Sequence, residues 1–198
     1  MAKVFSGVND NNEHVTETQQ FNLNKWLQNQ LIDNTDEDPL DTRHCNSYYV
    51  DELCLTLKQD EHKKYIIIHI NIHSIPSKFD RLNLLLSTLT ENNIEIHAVL
   101  LCETFLYEFN KNLYNISGYN LFTNNRSAGK RGGVAIYIRD NISAKIRPDL
   151  EVNVENEFES IFIEATFAGE KTIIGEIYRV PNTNESDSID RYDAILKK

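Results

Sequence analysis

The sequence predicts a layered α/β fold with mixed sheets, and three observations carry that prediction. Two apolar runs, KKYIIIHINIHS and IEIHAVLLCETFL, have the length and aliphatic content of strands. A leucine-rich stretch at helical spacing joins them, and beyond Asn110 alternating segments separated by turns read as hairpins. Strand, helix and strand imply a parallel pair with a crossover, hairpins imply antiparallel pairing, and the two together imply a mixed sheet.

Taken in order, residues 1–60 are polar and acidic, with 4 Lys+Arg against 11 Asp+Glu, a net of −7. This segment is expected to be largely disordered, with an amphipathic island at FNLNKWLQNQLI, where Phe21, Trp26 and Leu31 line a short helix. A second short helix is expected from Asp51 in YYVDELCLTLK. Residues 61–198 carry 16 basic against 19 acidic residues and hold the expected domain. From Tyr65 to Ile72, Ile66, Ile68, Ile70 and Ile72 share one face, opposite Tyr65, Ile67, His69, Asn71 and His73, which describes a strand covered on both sides. Ser74 and Pro76 stop it and open a helix whose Phe79, Leu82, Leu85, Leu86 and Leu89 recur on one face; Asn92 and Asn93 end it. The next strand runs from Ile94 to Cys102. GGVAIYIRD, FESIFIEATF and TIIGEIYRV follow as strands, with the clearest turn at Ala168–Lys171.

Parallel strands place their carboxyl ends on one edge, where α/β folds bind ligands. Asn71, Glu103 and Tyr178 each stand near the end of an apolar run, and an acid beside an amide and a phenol suggests a metal and phosphate site. Each has an ordinary reading too. Glu103 directly follows Ala98–Cys102, where a carboxylate caps a loop amide, reaches water or binds a cation. Tyr178 is equally a buried tyrosine with a bonded hydroxyl. His69 and His73 do not make a zinc pair, because residues four apart on a strand are about 13 Å apart. Arg131-Gly132-Gly133 lacks phosphate-loop spacing and reads as a tight entry to a strand.

A net charge of −10 argues against a protein that coats nucleic acid, which needs clustered Lys and Arg. One local run differs: Lys111 to Arg147 holds seven basic residues and one acid, either a solvated face or a backbone-contacting patch. Cys45, Cys54 and Cys102 are odd in number and lack CxxC spacing, so neither a disulfide framework nor a zinc knuckle is indicated. No run approaches the roughly 18 apolar residues that span a bilayer, and MAKVFSGVNDNNEH has no apolar signal core. An intracellular protein, nuclear or cytoplasmic, is expected.

Taken together, HINIHSIPSKFDRLNLLLSTL, AVLLCETFL, YNISGYNLFTNNRSAGKRGGVAIYIRD, NEFESIFIEA and GEIYRVPNTN resemble the endonuclease domain of LINE-type non-LTR retrotransposon proteins, of the endonuclease/exonuclease/phosphatase superfamily. The resemblance runs in order from about Tyr65 onward. It implies a four-layer α/β sandwich and magnesium-dependent nicking of a DNA phosphodiester, with manganese as the other candidate ion. It implies that Asn71 orients the catalytic groups, that Glu103 binds the metal and that Tyr178 contacts the scissile phosphate. Arg126, Lys130, Arg131, Arg179 and Asn182 become candidates for the nucleic-acid backbone. DNA is the implied partner, in the wider context of a reverse transcriptase and its RNA.

The family pattern continues from Tyr-Arg-x-Pro-Asn to a Gly-Asp-Phe-Asn type motif and a late Asp-His pair. This sequence holds neither: its last histidine is His97 and its only Asp-x-Asn is at Asp10–Asn12. The expectation is therefore an incomplete sandwich, a truncated endonuclease domain that is impaired as a catalyst. The alternatives are a non-catalytic DNA-binding or interaction remnant, a phosphatase on small phosphoesters, and a fragment that exposes apolar strands and aggregates.

Overall fold

The computed structural model describes residues 2–6, 18–21, 54–55, 57, 65–126, 131–154, 156–181 and 183–197. The amphipathic island after Phe21 lies outside them, and so does most of the expected helix at Asp51, of which Cys54, Leu55 and Leu57 are helical. The chain divides into two units, Met1–Asn71 with Asp80–His97, and Ile72–Phe79 with Ala98–Lys198.

In the first unit β1 (Ala2–Ser6) pairs antiparallel with both β2 (Thr18–Phe21) and β3 (Ile66–Asn71). The register sets Ala2 against Ile70 and Ser6 against Ile66. The expected alternation is present: Ile66, Ile68 and Ile70 are buried while Ile67, His69 and Asn71 are half-buried. The strand ends at Asn71, one residue short of the expected Ile72. Helix α1 (Ile75–Glu91) follows, and its first-unit part buries Leu82, Leu85, Leu86 and Leu89.

Asn92 and Asn93 end α1 as expected. Asn93 takes a left-handed φ of 60°, its N–H donates to Thr90 O at 2.9 Å, and Ile94 N donates to Leu89 O at 2.9 Å. That pair of bonds is a Schellman cap, in which asparagine tolerates the left-handed position with little penalty. The chain then returns to β3: Ile66 N donates to His97 Nδ1 at 3.1 Å and His97 N to Ile66 O at 2.8 Å.

The second unit contains two antiparallel sheets. In one, β6 (Val134–Arg139) lies between β4 (Ala98–Cys102) and β5 (Tyr119–Asn124), with Cys102 opposite Val134 and Val134 opposite Asn124. All of β4 and the first five residues of β6 are buried, the mark of strands covered on both faces. Tyr137 of β6 is fully buried, and its hydroxyl donates to Tyr114 O at 2.5 Å.

The other sheet places β8 (Phe158–Phe167) between β7 (Ala144–Ile146) and β9 (Glu170–Arg179), and β8 and β9 pack on the first sheet. The β8–β9 turn has only two residues, Ala168 at φ 48° and Gly169 at φ 86°, so Phe167 faces Glu170. Two successive positive φ values are what a two-residue hairpin with native twist requires.

Helix α2 (Glu185–Leu196) was not signalled by the sequence pattern. Asn184 caps it, its side-chain oxygen accepting from Ser186 N at 3.1 Å, and Ile195 joins a cluster with Leu150, Phe158 and Phe162.

Candidate functional site

Strand β4 delivers its last residue, Cys102, to the sheet edge, and the chain beyond it is unusual. Glu103 and Phe105 have φ of 54° and 55°, while His73 and Ser74, just after β3, have 47° and 93°. Four left-handed residues that are not glycine are costly and persist only where surrounding structure dictates them.

The dictating bonds come from both sides. Ile72 N donates to Cys102 O at 3.1 Å, Ser74 N to Glu103 O at 2.8 Å and Ile75 N to Thr104 O at 2.9 Å, a run of bonds that ties the Ile72–Ile75 segment alongside Cys102–Thr104. On the other flank Thr104 N donates to Gly133 O at 3.1 Å and Phe105 N to Gly132 O at 2.9 Å. Gly133 must be glycine twice over. Its φ is +86°, and a Cβ there would lie 2.5 Å from Thr104 Oγ1.

Within this frame Glu103 uses both carboxylate oxygens. Tyr178 Oη donates to Oε1 at 3.0 Å, across 75 residues of sequence, and His73 Nδ1 lies 2.7 Å from Oε2. The Glu103 side chain is 16% exposed and that of His73 62%, so the carboxylate sits inside the mouth and the imidazole at its rim. Burial pushes the Tyr178 phenol up, and its hydrogen bond to Glu103 and that residue's charge add to the shift, so it stays protonated and donates. The Cys102 thiol is also pushed up, by burial first and then by Glu176 and Glu103, which makes it a poor nucleophile.

A second carboxylate supports the mouth from behind. Glu159 is buried, pairs with Arg126 and accepts from Gly133 N at 2.5 Å. Arg126 also donates to Asn156 Oδ1 at 3.1 Å. This network fixes Gly133, Gly133 fixes Thr104, and Thr104 follows Glu103. A cleft of about 190 Å³ lies against it, lined by residues that include Asn124, Asn125, Asn153 and Phe158.

Of the site residues expected from sequence, Glu103 and Tyr178 are brought into direct contact. Asn71 is the last residue of β3, in the first unit. Arg131 is exposed at the entry to β6, and Arg179 ends β9 with a donor on Thr183 O at 3.3 Å. Lys130 and Asn182 lie outside the described residues.

The basic run from Lys111 to Arg147 is largely balanced by acids from elsewhere. Lys111 pairs with Glu108, Arg126 with Glu159, Lys145 with Glu164, and Arg147 with Asp149 and Glu164.

Two residues of the site were missed from sequence. His73 was assigned to a strand face, but the chain leaves the strand at Asn71 and turns His73 onto Glu103; the nearby Ser74 and Pro76 were the available signal. Glu159 shares a strand face with Ile161 and Ile163, and a carboxylate among isoleucines was its signal.

No family model and no curated protein matches the chain. Among solved structures, the endonuclease domain of TRAS1, a telomere-specific non-LTR retrotransposon, matches with a TM-score of 0.50 and 12% identity, over 66% of this chain and 53% of that one. Two structures of D. rerio TDP2 also match. One is humanized by 14 mutations, with a TM-score of 0.45 and 16% identity over 67% of this chain and 58% of that one. The other is complexed with single strand DNA product, with a TM-score of 0.46 and 19% identity over 67% and 53%. The chain thus spans about half the length of the TRAS1 domain. Its fold is the α/β fold with mixed and antiparallel sheets that the sequence led us to expect, and it is similar to that of the TRAS1 endonuclease domain.

Proposed function

We propose that this chain carries part of a divalent-cation-dependent site that nicks DNA at a phosphodiester bond, and that the stretch does not turn over by itself. The observation that carries the reading is the 3.0 Å hydrogen bond from Tyr178 to Glu103, which joins two residues that separate motifs single out. In this reading Glu103 holds the cation, Tyr178 contacts the scissile phosphate and Asn71 helps orient the reacting groups. A lone carboxylate at a polar mouth suits magnesium, which keeps several waters and takes further ligands from phosphate; manganese would serve similarly.

When bound, the cation would neutralise charge that develops on the phosphate. The chain's own groups do the positioning. Tyr178, held protonated, donates to Glu103 and fixes the carboxylate plane. Arg131 and Arg179 are assigned to DNA phosphates with Lys130 and Asn182, while Arg126, matched by Glu159, supports the mouth instead. After Tyr178 the sequence supplies no Asp-x-Asn and no Asp-His, so we assign neither a group that activates water nor one that protonates the leaving oxygen. DNA is the proposed partner, within an element that also encodes a reverse transcriptase acting on its RNA, and the nucleus or cytoplasm the proposed location. Among the described residues no helix is long and apolar enough to cross a membrane.

The balanced charges around Lys111–Arg147 weigh against a mere DNA-coating remnant, and no feature of the mouth favours a small phosphoester over DNA. The test pairs calorimetric titration of magnesium with a plasmid assay. Magnesium binding that is lost in Glu103→Gln, with supercoiled plasmid left intact, is the expected result. Nicking that Glu103→Ala abolishes would overturn the inactivity of the stretch, and unchanged binding in Glu103→Gln would overturn the site.

A further inference from the structure

The cleft beside the Arg126–Glu159 pair is lined by three asparagine amides, and two of them are fixed by one main-chain residue. Ser160 N donates to Asn153 Oδ1 at 2.9 Å, and Asn124 Nδ2 donates to Ser160 O at 2.8 Å. An N–H needs an oxygen and a carbonyl needs an N–H, so these two bonds dictate which way each amide lies. What remains is an acceptor at Asn124 Oδ1 and a donor at Asn153 Nδ2, neither of them bonded among the described residues. The third amide, Asn125, donates Nδ2 to Thr123 Oγ1 at 3.3 Å and keeps a buried Oδ1 with no partner among the described residues. A sheltered acceptor without a donor is a standing cost, relieved when the side chain turns to a donor that enters the cleft.

The rest of the lining narrows the ligand. Arg126 and Glu159 neutralise each other, so the cleft offers no unbalanced charge to an anion or a cation. Val154 and Phe158 add apolar surface, and the volume of about 190 Å³ is below the roughly 300–1,000 Å³ of sites for drug-sized molecules. A small, neutral, flat group with a donor beside an acceptor meets these conditions, and the edge of an unpaired nucleobase is such a group. We propose that this cleft takes one unpaired base of the DNA strand, with Asn124 and Asn153 as the residues that read its edge. Two amide oxygens against one free N–H favour a base with an exocyclic amino group, such as cytosine, over thymine, whose single ring N–H lies between two carbonyls. The inference rests on DNA as the partner and is independent of the cation at Glu103.

The test follows the fluorescence anisotropy of short labelled strands of deoxycytidine or of deoxythymidine titrated with the full chain, at low salt and with EDTA present so that no divalent cation contributes. Wild type is expected to bind the deoxycytidine strand at least about fivefold more tightly. Asn153→Asp keeps the acceptor for Ser160 N and turns the free donor into an acceptor, which has nothing to offer the bare ring nitrogen of cytosine, so the preference should fall to about one. The added charge weakens both strands alike, and the ratio of affinities is therefore the readout. Asn124→Ala removes the other edge contact, should also bring the ratio to about one, and serves if the aspartate variant unfolds. Equal binding of the two strands by wild type, or a preference that survives both variants, overturns the base site while DNA stands as the partner. If neither strand binds, DNA falls as the partner and this inference with it, and the magnesium titration of Glu103 still decides the cation reading by itself.

Discussion

Replacing Glu159 by alanine removes the partner of a buried charge, and its consequence can be worked from the structure. The Arg126 side chain is 12% exposed and that of Glu159 7%, so truncation leaves a guanidinium in the interior still donating to Asn156 Oδ1 but without its carboxylate. Losing one member of a buried pair costs about 3–5 kcal/mol. The Gly133 N–H loses its acceptor as well, which costs about 1–3 kcal/mol for a buried donor. The two losses share one carboxylate, and residual exposure of Arg126 softens the first, so the net expectation is about 4 kcal/mol. Against total stabilities of about 5–15 kcal/mol that is a large share. Urea unfolding followed by circular dichroism measures it, and amide exchange at Gly133 should accelerate in the variant. Combining Glu159→Leu with Arg126→Met removes both charges and should restore all but about 1 kcal/mol, the remainder being the orphaned Gly133 N–H. A cost below about 1 kcal/mol for Glu159→Ala, or a double variant no better than the single, would refute the argument that this pair props the mouth.

Tyr178→Phe removes the donor to Glu103 and should cost about 1–2 kcal/mol in urea unfolding while weakening metal binding in calorimetry. Gly175→Ala drives a Cβ into the Phe162 ring and should lower stability by about 1–3 kcal/mol, read as a drop in thermal midpoint. Ile195→Ala empties part of the cluster with Leu150, Phe158 and Phe162, at a cost of about 2–5 kcal/mol read in urea unfolding. Stability should also fall in alkali. Cys102, Tyr137 and Tyr178 all have folded-state pKa values above their unfolded ones, chiefly through burial, so the folded chain keeps protons that the unfolded chain releases. Their contribution is intact below about pH 8.5 for the thiol and about pH 10 for the phenols, and declines above by up to about 1.4 kcal/mol per pH unit for Cys102 and Tyr137 and by much less for the partly exposed, solvent-screened Tyr178. Cys102→Ala should erase the decline between pH 8.5 and 10; an unaltered profile contradicts the account.

The sequence made the strands with alternating or unbroken apolar character legible, because burial dictates their pattern: β3, β4, β6, β8 and β9 all appear. The asparagine stop of α1 was legible for a local reason, since its cap needs a left-handed residue. Strand β5 was hidden, because Tyr119–Asn124 is half-buried nearly throughout and carries asparagine and threonine where a core strand has isoleucine. Strands β1 and β2 fall in a segment whose polarity argues against any sheet, and their pairing comes from β3 rather than from local preference. At the site, Glu103 and Tyr178 were legible from their places at the ends of apolar runs and from motif resemblance. The roles of His73 and Glu159 depend on a change of chain direction and on a cross-sheet contact, neither of which has a period to read.

The β8–β9 hairpin has a consequence for how mutations in this chain should be interpreted. Its register sets Glu159 directly opposite Tyr178, eight residues along each strand from the Phe167–Glu170 pair at the Ala168–Gly169 turn. A single inserted residue at that turn would slip one strand past the other, sending either the buttress of the mouth or its phenol to the opposite face. Genetic screens for loss of function would then score an exposed tip, far along the ribbon and chemically inert, as though it were part of the reactive machinery.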